Sequence, residues 1–305
     1  MSTIGKVKTL LKVLVSISLL AFVINYIGLE KLYKTLREVN LSYMPFLLIT
    51  LCIEFILGAT TLNILINQGD KKLGFFKTLK YFLRSFSLGL FVPAKLGEVS
   101  FIYFLNKEGI EVGKASAIFV IDKLVTLITL LLVGVVGIII LFNGEQRISV
   151  MAFLGISVSV GLFFIMSNFG RGLVKRFILR KYSDVFAGFS KTFFYYLKEK
   201  TNVVILNFFL SIIRWTFGAM SVYIMFLSLN YEPKFFYVWI IKPLTIIVSL
   251  IPITIAGLGV REGSAIFLFG IINIPPNITA SVYFTFTAIN YLLAGILIVY
   301  FLNKK

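Results

Sequence analysis

The chain contains no histidine and one cysteine, Cys52. The first absence excludes Ser-His-Asp catalysis and histidine-ligated metal centres. The second excludes an intrachain disulfide, and Cys52 is read as a small packing residue. Acidic residues are few: 13 Asp and Glu stand against 30 Lys and Arg, a formal net charge of +17. In a soluble protein that excess would point to nucleic acid. Here the basic residues fall between apolar runs, so anionic lipid head groups are the expected counterpart and nucleic acid is not. There is no Gly-x-x-x-x-Gly-Lys-Ser/Thr phosphate loop, so drive by ATP would need a partner. Neither a metal nor a cofactor is expected.

Apolar residues are what the chain has in excess. They make up 59% of its 305 residues, charged residues make up 14%, and the mean hydropathy is +0.97. A soluble domain of this length cannot hide so much apolar surface. The reading is an all-α, polytopic helical membrane protein, a single integral membrane domain over 1–305. About seven or eight spans and two broken or re-entrant Pro/Gly hairpins are expected. The first apolar run follows Lys6, Lys8 and Lys12 without a clear small-x-small cleavage site, so it is read as a retained span, Leu10 to Ile27.

Leu29, Leu32, Tyr33 and Leu36 recur at helical spacing with Lys31, Lys34 and Arg37 between them, which predicts a short interfacial helix. Further spans are expected at Leu41–Ile66, Ala115–Phe142, Ile148–Met166, Asn202–Leu229, Phe235–Ile251 and Ala280–Leu302. Phe169 to Lys200 carries eight Lys or Arg, with Phe186, Phe189, Phe193 and Leu197 near one helical face. It reads as a basic amphipathic segment on the membrane surface. The expected location is the cell membrane, with the N-terminus cytoplasmic by the positive-inside rule. The basic stretches at the N-terminus, Asp70–Lys80 and Phe169–Lys200 then share one side if the first broken segment enters and leaves from that side. The same count puts Lys304 and Lys305 outside if the second broken segment also re-enters.

The most informative stretch is Leu250 to Phe269. An apolar run breaks at Pro252, and Gly257, Gly259 and Gly263 surround Arg261-Glu262 before another apolar run begins. Proline removes a backbone donor and glycine permits conformations that other residues avoid. In hydrocarbon such backbone is tolerated only where it is buried in protein or lines a wet cavity. The plainer alternative is a polar loop between two spans. An earlier stretch echoes it: Pro93 precedes Gly97-Glu98, a short apolar arm, a polar turn and Lys114-Ala115-Ser116 opening a long span. After Pro252 the order repeats, down to Thr279-Ala280-Ser281. Paired interrupted segments point to a site at a repeat interface, here with units of about 75–142 and 235–302. The sequence leaves parallel and inverted repeats both open, and chance similarity of Gly- and Pro-rich loops is the other explanation.

Glu54, Arg84, Glu98, Asp122, Lys123, Arg214, Lys242, Arg261 and Glu262 lie within or beside apolar runs. A charge at the bilayer centre costs roughly 2.5–3.5 kcal/mol on insertion scales. These groups are therefore expected to face one another or water, with one cation in excess. A cationic excess in a lipid-walled cavity suits a phosphate, with Arg as bidentate donor. The alternative for Arg84 and Lys123 is simple snorkelling to the interface.

Leu88 to Glu98, with its Pro-x-x-x-Gly-Glu core, Asp122-Lys123, and Ile251-Pro252 through Gly257-Leu258-Gly259-Val260-Arg261-Glu262-Gly263 together resemble the lysylphosphatidylglycerol synthase transmembrane region, or flippase-like, family. The family more often has Arg where Lys123 stands. The resemblance covers nearly the whole chain. It implies an integral membrane protein similar to the lipid-flipping domain of multiple peptide resistance factors. Nothing here matches their cytosolic acyltransferase domain, so translocation is implied and aminoacylation is not. Standalone members near glycan assembly systems make a polyprenyl-phosphate-linked sugar a second cargo.

The leading reading is a lipid flippase for an anionic or aminoacylated phospholipid, or for such a glycan. Arg84, Arg214, Lys242 and Arg261 are the candidates to receive the phosphate. Glu54, Glu98, Asp122 and Glu262 are the candidates to balance them or to bind a cationic head group. Pro93, Gly97, Pro252, Gly257, Gly259 and Gly263 are expected to break the helices. Membrane lipids are the expected partners, with a synthase or glycosyltransferase as a protein partner. Competing readings are a membrane-embedded enzyme acting on a lipid-linked phosphate and a non-transporting scaffold for a synthase.

Overall fold

The computed structural model describes residues 16–69, 71–152, 155, 188–250, 254 and 256–303, apart from the side chains of 93–95 and 302. Pro252, most of Ile148–Met166, most of Phe169–Lys200, and Lys304-Lys305 lie outside the described residues. Among the described residues there is helix and no strand. The expected polytopic helical architecture is the observed one.

Helix α1, Ser16–Ile27, meets α2, Leu29–Arg37, at 84°. Gly28 sits between them at φ 87, a left-handed value that favours glycine. Helix α2 buries Leu32 and Thr35 and exposes Lys31, Lys34 and Arg37, as expected for an interfacial helix. A 3-10 turn capped by Asn40 leads into α3, Met44–Ile66, with Pro45 in the first turn, where its missing N–H costs nothing.

Helix α4, Phe75–Phe91, ends before Pro93, and a 3-10 stretch, Pro93–Val99, turns the chain into α5, Ser100–Lys107. Three contacts close this hairpin. Lys77 and Glu108 pair at 2.6 Å, and the Ser100 hydroxyl reaches Ser85 at 3.1 Å. A Cβ on Gly97 would stand 2.2 Å from the backbone of Leu88, so the tip folds this tightly only with glycine there. The segment therefore returns to the face it came from. Helix α6, Val112–Leu141, then crosses to the opposite face.

After α7, Phe189–Lys198, the long α8, Thr201–Leu227, runs antiparallel to α3. The Asn40 N–H donates to Ser228 at one end (2.7 Å) and the Tyr196 hydroxyl to the Leu65 carbonyl at the other. Between them, Ser221 bonds Thr50 at 2.9 Å and Asn207 bonds the Thr61 carbonyl at 2.9 Å. Helix α9, Phe235–Ser249, and α10, Val260–Ile271, form the arms of a second hairpin. Asn230 to Lys234 border one surface depression with Ile272 and Ile274, so this hairpin also returns to its own side. Helix α11, Pro276–Asn303, crosses back antiparallel to α4, with the Tyr291 hydroxyl on the Leu90 carbonyl and Arg84 on that of Phe301.

Four of these helices are long and apolar enough to cross a membrane, or five if the bent α1–α2 pair counts. The count covers the described residues; seven or eight were expected from sequence, and of those the start of Leu10–Ile27 and most of Ile148–Met166 lie outside the described residues. One expected span, Phe235–Ile251, is different: the 15 residues of α9 are too short to span, and they serve as a hairpin arm. The end of α11 accordingly lies on the face shared by 66–74 and 108–111, where the sequence count placed it opposite.

Small residues let the helices approach, as expected where lipid supplies no hydrophobic drive to pack. Gly58 meets the ring of Phe82, and Gly134 and Gly137 meet Ile240, Leu244 and Ile247 across the α6–α9 seam.

Candidate substrate cavity

A cavity of about 480 Å³ lies among α3, α4, α6, α8, α9, α11 and the two hairpin tips. Phe55, Phe82, Phe86, Phe119, Trp215 and Phe286 supply much of its apolar wall. Into it project four cations, Lys123, Arg214, Lys242 and Arg261, against two carboxylates, Glu54 and Glu98.

The pairings differ in strength. Lys123, on α6, holds Glu98 at 2.6 Å. Glu98 crosses over α4 where Gly89 leaves room, since a Cβ there would lie 2.7 Å from Glu98 Cγ. Lys242 and Glu54 stand 4.0 Å apart, and a Cβ on Gly218 would fall 2.3 Å from the Lys242 ammonium. Lys242 also lies 5.7 Å from the Trp215 ring centre and 5.5 Å from that of Phe286, within cation–π range. Arg214 is 7% exposed and donates to the Thr126 hydroxyl at 2.9 Å. Among the described residues it has no carboxylate partner. A buried guanidinium without a counter-charge is costly, so a lined cavity is where an anion would be bound.

Glu262 is fully buried behind Arg261 and does not line the cavity. One oxygen accepts from the Gly259 N–H at 2.7 Å and caps α10; the other accepts from Arg261 at 3.1 Å and lies 2.8 Å from the Thr287 hydroxyl. It thereby fixes both the start of the helix and the arginine on it. The turn before it takes positive φ at Ala256, Gly257 and Gly259, so two of the expected hinge glycines are required there.

Besides Glu262, three expectations need correction. Arg84 does not line the cavity: its guanidinium stacks on Phe104 and Phe301 and donates to the Phe301 carbonyl, satisfying a helix C-terminus. Asp122 is 1% exposed and also outside the lining. Neighbouring residues on a helix point about 100° apart, so with Lys123 facing the cavity Asp122 turns into the helix packing. Gly263 lies within α10 rather than in the break, and a Cβ there would meet only Val23 at 3.9 Å. Conversely, Lys123 is a lining residue rather than a snorkelling one, and Asn290, Trp215, Gly218, Gly89 and Thr287 were not among the site residues picked from sequence. Gly218 had a usable signal, standing one turn after Arg214 on the same helical face.

Among the described residues, no three of His, Cys, Asp and Glu gather as a metal site. No solved structure matches the chain. Among curated proteins it is similar to two UPF0104 membrane proteins of Methanocaldococcus jannaschii. One is 24% identical over 95% of this chain and 93% of the relative; the other is 26% identical over 70% and 93%. A UPF0104 membrane protein of Archaeoglobus fulgidus is 20% identical over 84% of this chain and 85% of its own length. The family described as lysylphosphatidylglycerol synthase TM region matches residues 9–298, and the chain belongs to that family.

Proposed function

We propose that the chain translocates a lipid with an anionic phosphate across the membrane. The cargo is an anionic or aminoacylated phospholipid, or a polyprenyl-phosphate-linked glycan. The observation that carries this reading is Arg214, buried on the cavity wall with a hydroxyl and an aromatic ring for company and no carboxylate partner among the described residues. Lys242 and Arg261 share the same space, so a phosphate would meet several cations within apolar walls. The family membership supports a lipid-related role. The basic face of α2 and the lysines of α7 would gather anionic lipid at the two surfaces. Residues 66–69, 71–80, 107–114 and 188–200 hold many of the described lysines and share one face, which the positive-inside rule assigns to the cytoplasm.

The test is native mass spectrometry of protein extracted with its own lipids, alongside Arg214→Ala and Arg214→Lys. A retained phosphate-bearing lipid is expected in the wild type. Losing a charged hydrogen-bonding partner costs about 1.5–3 kcal/mol, so Arg214→Ala should lower its occupancy roughly tenfold or more. Arg214→Lys should lose less. Identical lipid profiles in all three would remove the head-group site. A dequenching or dithionite assay in liposomes, with fluorescent phospholipid in one leaflet, then separates movement of a lipid from mere binding or from its chemical alteration.

A further inference from the structure

The helices on either side of the cavity pack reciprocally. Helix α3 lies against its antiparallel counterpart α8; α4 lies against α11 and α6 against α9; α2 lies against α11 and α7 against α6. Each statement maps onto itself or its neighbour when 29–141 is exchanged with 189–303. The cavity lining obeys the same exchange. Glu54, Phe55 and Leu62 are matched at one constant offset by Arg214, Trp215 and Val222. Phe119, Thr126 and Leu127 are matched at a second constant offset by Tyr283, Asn290 and Tyr291. That second offset also carries Glu98 to Glu262 and Lys123 to Thr287. Both acids reach a long helix 25 residues further on, Glu98 to Lys123 and Glu262 to Thr287.

The two copies run in opposite directions, because α3 and α8 are antiparallel and each hairpin closes on its own face. The equivalent acids are nonetheless held differently. Glu262 is fully buried, caps a backbone N–H and has Arg261 and Thr287 around it; α1 presses Leu19 on Gly259 beside it. Glu98 and Lys123 border the cavity, with side chains 22% and 39% exposed. An ion pair that water can reach is replaced by hydration at little cost, whereas separating a buried, capped carboxylate is expensive.

We infer that 29–141 and 189–303 are inverted copies of one unit, that the cavity lies on the axis relating them, and that the first hairpin is the moving gate. Breaking the Glu98–Lys123 pair loosens the Pro93–Val99 tip, while the second hairpin stays clamped by Glu262. Two inverted halves in unequal conformations place the cavity's access on one side at a time. The gate is inferred from packing and charge and does not depend on which cargo the cavity takes.

The experiment is pulsed electron paramagnetic resonance on the full chain in lipid nanodiscs, in a Cys52→Ser background. One spin-label pair joins Leu96→Cys at the first tip to Ile213→Cys on α8, and the other joins Phe267→Cys on α10 to Ile213→Cys. These positions are all exposed. The first pair should give two distance populations and the second pair one. Glu98→Gln should shift the ratio of the first two populations by about two- to fivefold toward the longer distance and leave the second pair unchanged. The double reversal Glu98→Lys with Lys123→Glu should restore the wild-type ratio. One unaltered population at the first tip in wild type and Glu98→Gln would overturn the gate, as would equal movement at both hairpins. Because no transport is read, loss of the lipid reading and loss of the gate give separate results.

Discussion

Gly218 shows how little room the charged cluster leaves. An added methyl would sit 2.3 Å from Lys242 Nζ and 3.0 Å from a Glu54 carboxylate oxygen. Gly218→Ala should push the lysine off Glu54 and lower lipid retention, with the helix itself no less stable. Native mass spectrometry beside a thermal melt separates the two effects. Gly97 makes a stronger demand, since its added methyl would strike the carbonyl of Leu88 and nothing flexible is there to yield. Gly97→Ala should destabilise the fold by about 2 kcal/mol or more through overpacking, seen as a lower melting temperature in detergent. Gly263→Ala is the contrast. It sits in a helix with space around it, so the melt should be unchanged or raised, helix propensity favouring Ala by up to about 1 kcal/mol. Sequence grouped Gly263 with the other hinge glycines because spacing alone cannot show which of them needs a positive φ or a close approach.

The hairpins were legible as broken segments because Pro93, Gly97, Gly257 and Gly259 interrupt apolar runs too short to span. Their extent was not. Phe235–Ile251 reads as a span by hydropathy, yet only the surface depression that its start shares with Ile272 and Ile274 reveals it as the arm of a hairpin. The base of the first hairpin offers a pH test. Glu108, in the turn between α5 and α6, is held below the ordinary carboxylate value, first by its hydrogen bond with Lys77 and then by that with Tyr81. A carboxyl with a lowered folded pKa adds stability that is present above its unfolded value of 4.5 and is lost as pH falls through the folded one. Protection from hydrogen exchange at 108–111, relative to the intrinsic rate, should therefore hold at neutral pH and fall as pH drops below 4.5. Glu108→Gln should remove most of that dependence. The pair is partly exposed, so its loss should cost only about 0.2–1 kcal/mol.

At the scale of the whole molecule, the two faces are set by the hairpins returning to their own sides. Membrane-impermeant thiol reagents in a Cys52→Ser background test this directly. Lys72→Cys and Asn303→Cys should label from one side, and Asn143→Cys and Glu232→Cys from the other. Labelling of Asn303→Cys from the same side as Glu232→Cys would mean that a hairpin crosses fully. The charges fit the same picture. Five of the eight residues picked from sequence as a head-group site do line one cavity, although they lie on α3, α8, α9 and the two hairpin tips. A span has no low-cost place for a lone charge, so charges in apolar runs converge where water or a partner is available.

The sequence by itself determined the solvent and the element type. So much apolar surface, with no histidine and one cysteine, leaves a helical bundle in lipid, and the Pro and Gly positions mark where helices must break. It also determined which residues carry unusual cost, because any charge inside an apolar run does so wherever it ends up. Only the tertiary structure decided which of those charges meet. Asp122 looked equivalent to Glu98 in one dimension, and Arg84 was open to either lining or snorkelling; rotation about a helix axis separated them from the cavity. Lys123 was left between lining and snorkelling until α6 packed beside the first hairpin tip. The direction of the two halves was likewise undecided until α3 and α8 paired, since antiparallel contact depends on residues far apart in sequence and local pattern contains no record of it.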